Sequence, residues 1–372
     1  MVERQASDPP GTTTEGIEPT VQTDPILSLQ SRVGQEWPAI HEAHRRALET
    51  DGRLDKVLAG LPSTDAAIVV FGSLARREWT HSSDIDWTLL IDGQADPEHL
   101  GLAQKVAGRL ESEGFPPPGR SGIFGSMTFS HDLVQKIGGR EDTNENTTRR
   151  VLLIQESRAF GKPDAYTRTL KHIFSRYLKD DRGLRFGSLP SKVPRVLIND
   201  IIRYWRTVTV DFVDKQRGQA GHGWGLRNAK LRMSRKLIYA TGMLTCFSCD
   251  MLISEEARQD LLKNHSTVGM EEHLLWFIHK TPLEILATFL VEREIKKETA
   301  MKLFSSYNAF LALLDDGDKR DRLKNLSLDE ISTDTVFGEV RSIARTFQDG
   351  LTALFFYDDD KLRDLTIFYG VF

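Results

Sequence analysis

The pattern of hydrophobic and polar positions divides the chain into two parts that meet near residue 162. In the first part, short apolar runs alternate with polar or glycine-rich turns, and the runs at 66–71, 85–91 and 122–129 predict three strands. In the second part, apolar residues recur at helical spacing almost throughout. The pattern therefore predicts a mixed α/β part followed by a helical part.

Helical spacing is also found around the predicted strands, within residues 26–59 and over 97–114. Beyond Thr147 the predicted helices include 149–160, 163–178, 193–213 and 225–245, with several more up to residue 356.

The sequence Gly161-Lys162-Pro163 is the best candidate for a hinge between the two parts. We therefore predict one domain over residues 25–162 and a second over 163–372. Residues 1–24 are polar and rich in Thr, Pro and Glu, which predicts a disordered tail.

Composition limits the classes of protein that this chain can be. Hydrophobic residues make up 40 % and charged residues 27 %, which is typical of a globular protein and excludes disorder throughout. The 49 Lys and Arg residues nearly balance the 53 Asp and Glu residues, for a net charge of −4. This balance argues against a duplex DNA template bound through overall charge.

Cysteine content and hydropathy indicate the cellular location. Cys246 and Cys249 are too few for a disulfide framework, and without further ligands they predict buried thiols rather than a zinc site. The N-terminal residues do not resemble a secretory signal, and no run of about 18 apolar residues is present. We therefore expect a soluble, cytoplasmic protein that does not insert into a membrane by itself.

The most informative stretch is residues 71–87, where a Gly-Ser turn is followed by two aspartates. Gly72 lets the backbone approach a ligand where a strand becomes a helix, and the Ser73 hydroxyl can donate to a phosphate oxygen. Asp84 and Asp86, two positions apart on a predicted strand, share one face and suit a hard divalent cation. A phosphate cradle beside a metal site is the equipment for phosphoryl or nucleotidyl transfer.

Gly72-Ser73 followed by Asp84-x-Asp86 resembles the signature of the DNA polymerase β-type nucleotidyltransferase superfamily. The resemblance implies a small mixed sheet with flanking helices. The expected fold class is therefore α+β, a polymerase-β-like domain followed by an all-helical domain. It also implies a nucleoside triphosphate donor and two Mg²⁺ ions, for which Mn²⁺ can substitute, held by Asp84 and Asp86.

Two further segments resemble the PII uridylyltransferase-like group within this superfamily. They are residues 132–161 and the sequence Gly225-Leu226-Arg227-Asn228, which departs from that group's Gly-Gly-Leu-Arg-Asp at Trp224 and Asn228. A nucleotidyltransferase with a helical partner domain and no sensor domain also resembles those of bacterial anti-phage defence operons, of the Hailong type. That resemblance implies an effector protein from the same operon as a partner.

A third carboxylate usually completes the metal site in this superfamily and activates the acceptor hydroxyl. Asp132, just beyond the third predicted strand, is the favoured candidate for this catalytic role. Asp142, in the polar turn that follows, is the alternative. For both residues, capping of a helix N-terminus is the structural interpretation.

The helical part supplies candidate ligands for the triphosphate. Arg227, Lys230 and Ser234 are spaced i, i+3 and i+7, so they lie on one helix face, which could hold the phosphates of a bound nucleotide. The alternative is a solvated basic surface.

The C-terminal residues 365–372 are unusually apolar and aromatic for a chain end. Their structural interpretation is a segment docked on the helical domain, since exposed apolar patches are uncommon. The functional interpretation is that the segment enters the cleft and Tyr369 serves as the nucleotide acceptor.

The leading hypothesis is an enzyme that moves a nucleoside monophosphate, ribo or deoxyribo, from a triphosphate to a hydroxyl, in anti-phage defence, making an oligomer primed on Tyr369. One alternative is modification of a separate protein or small molecule, as in the PII- and aminoglycoside-modifying relatives. Another is a non-catalytic binding protein or antitoxin on the same fold.

Overall fold

A computed structural model of the chain describes residues 24–61, 64–115, 117–118, 124–181, 192–218, 223–264 and 266–371. The predicted tail, except Asp24, lies outside the described residues. The fold class is α+β, as predicted: a small mixed sheet with flanking helices is followed by a mostly helical region.

Four strands form one mixed sheet in the order β3-β2-β1-β4. They are β1 (Ala66–Phe71), β2 (Asp86–Ile91), β3 (Ser126–Phe129) and β4 (Ser157–Phe160). Strand β1 pairs antiparallel with β2 and β4, whereas β2 pairs parallel with β3. Every residue of β1 is buried because the strand is central and covered on both faces.

The helices surround this sheet and then continue beyond it. Their bounds are α1 (Pro25–Val33), α2 (Pro38–Val57), α3 (Gly72–Ala75), α4 (Pro97–Ser112), α5 (Ser130–Val134), α6 (Asn144–Gln155), α7 (Asp164–Asp181), α8 (Arg195–Gly218), α9 (Trp224–Lys230), α10 (Lys236–Met251), α11 (Glu255–Lys263), α12 (Val268–Ile278), α13 (Pro282–Glu292), α14 (Lys297–Asp315), α15 (Gly317–Asn325), α16 (Thr335–Phe356) and α17 (Asp360–Leu365). A π-helical turn, Leu231–Arg235, joins α9 to α10, and a second, Thr366–Val371, follows α17.

Strand β4 corrects the prediction of a helix over residues 149–160. Helix α6 ends at Gln155, and the chain then pairs with the free edge of β1, with Ser157 opposite Phe71. The apolar pattern of α6 shows no break there, but the edge of β1 offers backbone partners that local sequence does not reveal. The predicted strand 122–129 is shorter in the structure, and residues 122 and 123 lie outside the described part.

Alternate residues of β1 supply two hydrophobic clusters, one on each face of the sheet. Ala67, Val69 and Phe71 join the larger cluster, which includes α1, α2 and most of the later helices. The other β1 residues join a smaller cluster beneath α4. The predicted domain boundary at residue 162 stays a prediction, and the larger cluster runs across it.

The N-terminal helices connect the sheet to the helical region. The Trp37 ring packs on Phe304 of α14 with centroids 4.6 Å apart, and its Nε1 donates to Ser305 Oγ at 3.2 Å. Helix α14 also reaches the sheet region, because the Tyr307 hydroxyl donates to Glu78 at 2.9 Å. These contacts place α14 and α15 beside the turn that follows β1.

Within the described residues, no single helix has the length and apolar character needed to cross a membrane, although two bent pairs, 224–251 with 255–263 and 268–278 with 282–292, pass by length and composition. Cys246 and Cys249 are buried thiols in α10 that are not joined in a disulfide, as predicted.

A buried histidine should make folding stability depend on pH. His273 of α12 lies 2.8 Å from Ser248 Oγ, and burial lowers its pKa to about 4. The unfolded chain, with the ordinary pKa near 6.5, takes up the proton first, so stability should fall as pH drops from about 6.5 to 4. Between pH 7 and 4.5, the wild-type chain should lose about 2 kcal/mol more unfolding free energy than the His273→Gln variant does. Urea denaturation at the two pH values measures this difference. The exposed His131→Gln should keep the wild-type slope, and an equal slope in both variants would contradict this assignment.

Candidate active site

The turn that ends β1 lies directly against Asp86. Gly72 has φ +70°, in the left-handed region, and a Cβ there would lie 3.1 Å from Asp86 Oδ2. Cross-strand pairing of Phe71 with Asp86 produces this approach. Glycine at position 72 therefore satisfies both the backbone conformation and the space beside the carboxylate.

Asp84 and Asp86 line one cleft together with Gly72 and Ser73. Asp86 begins β2 and is half-buried. Asp84 is exposed and precedes the strand, whereas the sequence predicted that it lies on the strand. Burial and the neighbouring Asp84 raise the pKa of Asp86 to about 6. A cation between the two carboxylates would offset both effects, because it stabilises the charged form of Asp86.

The donor set suits Mg²⁺ that is shared with a substrate. In the described part of the chain, no group of three or more His, Cys, Asp or Glu side chains could hold a metal ion. Mg²⁺, however, is commonly held by one or two carboxylates together with substrate phosphates. Asp84 and Asp86 therefore fit a metal that arrives with, or is completed by, a phosphate ligand.

Cationic side chains from the helical region line the same cleft. Lys230, Ser234 and Arg235 come from the end of α9 and the π-helical turn, and Arg320 comes from α15. Among the described residues no carboxylate lies within ion-pair distance of Lys230, and burial and Arg320 lower the pKa of the lysine to about 8. The Arg320 Nη2 donates to the Ser82 carbonyl at 2.7 Å, beside the aspartates.

Close packing of α9 on α15 brings these cations together. A Cβ at Gly225 would lie 2.6 Å from the Leu323 carbonyl oxygen, so only glycine allows this approach. Lys230 follows Gly225 by five positions on α9, and Arg320 precedes Leu323 on α15. Gly225 belongs to the segment that resembles the PII uridylyltransferase-like group, and in the structure it has a packing role.

Behind the cleft, a buried ion-pair network fixes Arg235. Glu156, only 2 % exposed, pairs with Arg76 and accepts from Arg235 Nη1 at 2.9 Å. Arg76 Nε also donates to Glu78 at 2.9 Å. Glu78 in turn accepts from Tyr307, so the network joins the turn after β1, the start of β4, the π-helical turn and α14.

The cleft has two lobes that share Asp84, Asp86, Lys230 and Arg235. The small lobe has a volume of about 50 Å³ and is mainly polar. The larger lobe has a volume of about 240 Å³ and is mainly apolar. Its further lining residues are Phe124, Thr148, Leu152, Tyr204, Val208, Asp211, Phe212, Arg227 and Leu231.

Arg227, Lys230 and Ser234 are the phosphate ligands predicted in the helical part. Of these, the structure brings Lys230 and Ser234 to the small lobe. Ser234 is buried, and its hydroxyl donates to the Lys230 carbonyl at 3.2 Å. Arg227 lines the larger lobe instead. The predicted helix face is thus divided between the two lobes.

The structure does not bring Asp132 to the other aspartates, and its prediction as the third catalytic carboxylate is corrected. Strands β2 and β3 run parallel, so Phe129 pairs with Ile91 at the end of β2 opposite to Asp86. Five residues of strand alone separate these ends by about 16 Å. Asp132 lies three positions further on, where it forms an ion pair with Lys136 at 2.6 Å.

The alternative, Asp142, is also placed elsewhere. It is buried and accepts from Arg150 Nη2 at 2.8 Å, in a cluster that includes Asp200 and Tyr177. This cluster ties α6, α7 and α8 together, so Asp142 has a structural role. On the extension of β3 beside Asp86, the register places Phe124, which lines the larger lobe.

Tyr369 lies away from the cleft. It packs half-buried against the main core, with the Arg195 guanidinium 5.6 Å from the centre of its ring. Arg195 begins α8, and Tyr204 of the cleft is about 13 Å further along that helix. The C-terminal segment is therefore docked on the helical region in this structure.

Sequence reasoning missed Arg320, Glu156 and Tyr307. No local motif surrounds Arg320, which reaches the site only because α9 and α15 pack closely. The apolar pattern puts Glu156 inside a predicted helix. The one available signal is that Glu156 lies within the segment 132–161, which resembles the PII uridylyltransferase-like group.

Comparison with known families finds a nucleotidyltransferase family model that matches the part of the chain with the two aspartates. The family model described as Putative nucleotidyltransferase DUF294 matches residues 31–126, about a quarter of the chain. The match includes α2, β1, the Gly72-Ser73 turn and both aspartates, and supports a nucleotidyltransferase at the level of the family. No curated protein matches the chain.

Substitution of Gly72 tests the close approach to Asp86. We expect Gly72→Ala to lower the unfolding free energy by about 1 kcal/mol, because alanine is strained at positive φ. We also expect it to weaken Mn²⁺ binding, followed by electron paramagnetic resonance, because the new methyl group displaces the Asp86 carboxylate. Gly34→Ala is the matched control, since Gly34 has φ +74° and open space around it. Equal Mn²⁺ affinity in the two variants would contradict the role of this contact.

Proposed function

We propose that the protein is an Mg²⁺-dependent nucleotidyltransferase that moves a nucleoside monophosphate from a nucleoside triphosphate to the hydroxyl of an acceptor. The observation that carries the proposal is that Asp84 and Asp86 line one cleft together with Lys230 and Arg320. Anionic and cationic groups in one cleft suit a metal-bound polyphosphate, because the carboxylates attract the metal and the cations attract the phosphates.

The small lobe supports binding of the triphosphate. Ser73 offers a hydroxyl donor, while Lys230 and Arg320 offer positive charge. Arg235 is held by Glu156 and is therefore pre-positioned at the junction of the lobes. These side chains would hold the phosphates and stabilise charge on the departing pyrophosphate.

The larger lobe supports binding of the nucleoside and the acceptor. Tyr204, Phe212 and Phe124 supply apolar and aromatic surface for a base, and Asp211 and Arg227 supply polar groups at its wall. Because both lobes meet at Asp84 and Asp86, a nucleotide that spans them has its α-phosphate at the aspartates.

Asp84 and Asp86 would hold the magnesium. When bound there, the metal supplies positive charge that stabilises the attacking and leaving oxygens. Glu156 also acts electrostatically on Asp86, but its carboxylate is paired with Arg76 and Arg235.

The proposed acceptor is a hydroxyl of a separate molecule, because Tyr369 is docked outside the cleft. Self-priming on Tyr369 would require the last π-helical turn to leave its packing. A role in anti-phage defence, an effector from the same operon and a cytoplasmic location stay predictions from the sequence.

Transfer can be measured with each α-labelled ribo- and deoxyribonucleoside triphosphate and Mg²⁺, with a cell extract as the source of acceptors. We expect label to enter one acceptor fraction. Asp86→Asn should lower the rate at least about a hundredfold, because it removes a metal ligand. Asp132→Asn makes the same chemical change outside the site and should retain activity.

Three outcomes would contradict the proposal or a part of it. Equal losses in Asp86→Asn and Asp132→Asn would show that the site is placed wrongly. Wild-type protein that binds nucleotide yet transfers no label would favour the non-catalytic binding protein. Label on the chain itself that disappears in Tyr369→Phe would replace the separate acceptor with self-priming.

A further inference from the structure

A second cavity lies in the helical region, outside the catalytic cleft. It has a volume of about 320 Å³ and is enclosed by α8, α10, α16 and the terminal π-helical turn. This volume lies in the range of small-molecule sites in proteins. None of its lining residues belongs to either lobe of the cleft.

The walls of this cavity are mainly apolar and aromatic. Trp205 and Tyr239 stack with ring centroids 5.3 Å apart, and Met243, Leu351 and Phe355 form much of the remaining surface. Stacked rings with a neighbouring thioether favour a flat, aromatic body in the ligand.

Among the described residues, Lys236 is the single charged side chain that lines the cavity, and no Asp or Glu side chain does. The Lys236 ammonium donates to Gln348 Oε1 at 2.6 Å. In the described chain no Asp or Glu lies within ion-pair distance of this lysine. Burial and the nearby Arg232 lower its pKa, and an anion beside it would compensate for both effects.

We propose that this cavity binds a small aromatic molecule that carries one negative charge, with its ring against Trp205 and Tyr239 and its anionic group at Lys236. The site adjoins the catalytic cleft through the protein: Trp205 follows Tyr204 on α8, and Lys236, the first residue of α10, follows Arg235 of the π-helical turn. A ligand there contacts residues next to two cleft residues, and it contacts the C-terminal turn that holds Tyr369. The proposal does not depend on nucleotidyl transfer.

Two dyes that differ by one charged group test the proposal on the full chain. The probe is 8-anilinonaphthalene-1-sulfonate, an aromatic anion, and the reference is N-phenyl-1-naphthylamine, which has the same rings without the sulfonate. Fluorescence titration should show saturable binding of both dyes. Lys236→Met should weaken the anionic dye about tenfold or more and leave the neutral dye unchanged, since only the anion makes a charge-assisted contact.

Filling the cavity provides the second comparison. Thr352 lines the cavity from α16, whereas Thr346 is exposed on the same helix. Thr352→Trp should abolish binding of both dyes, and Thr346→Trp should preserve it. Thermal unfolding verifies that the variants fold. If Thr352→Trp does not fold, Ala240→Leu, which fills the cavity from α10, replaces it.

The proposal is overturned if the wild-type chain shows no saturable binding, or if cavity-filling variants bind as the wild type does. It is also overturned if Lys236→Met weakens both dyes equally, because a loss without charge dependence reflects altered packing. Loss of the anionic dye alone in Lys236→Met, with loss of both in the filled cavity, supports it.

Discussion

Glu156 is shared by two arginines where the sheet meets the helical region, and the cleft depends on this buried interaction. Arg76 approaches it from the turn after β1, and Arg235 approaches it from the π-helical turn. Removing both arginines and both glutamates, Glu78 and Glu156, from water costs free energy that their attraction only partly offsets, so the network is weak as a source of net stability. Its effect is specificity: one mutual position of sheet and helices pairs every charge.

The mutual position of the sheet and the helices determines which charged groups line the cleft beside the network. Asp86 and Lys230 line the same cleft, and burial with a like charge nearby raises the pKa of Asp86 and lowers that of Lys230. A cleft that holds Asp84, Asp86, Lys230 and Arg320 without an ion pair among these four side chains keeps them available for a ligand that carries both signs. A magnesium polyphosphate is such a ligand, whereas a purely structural cluster would pair its charges internally, as Arg150 does with Asp142 and Asp200.

Local sequence predicted the elements whose determinants are contiguous. The three predicted strands follow from short apolar runs, and the Gly72-Ser73 turn with Asp84 and Asp86 falls within fifteen residues. The third carboxylate could not be predicted from position alone, because the parallel pairing of β3 sends Asp132 to the far end of the sheet. Arg320 and Tyr307 reach the site through packing of α14 and α15, which no local pattern encodes.

The central claim is that one cleft holds nucleotide and metal together through Asp86. Its most direct test is the affinity of the chain for fluorescent, non-hydrolysable nucleoside triphosphate analogues, measured with Mg²⁺ and again with EDTA. The account predicts that EDTA weakens binding at least about tenfold in the wild type, because the two ligands are linked, and that Asp86→Asn loses this dependence. Equal affinity with and without metal in the wild-type protein would contradict it.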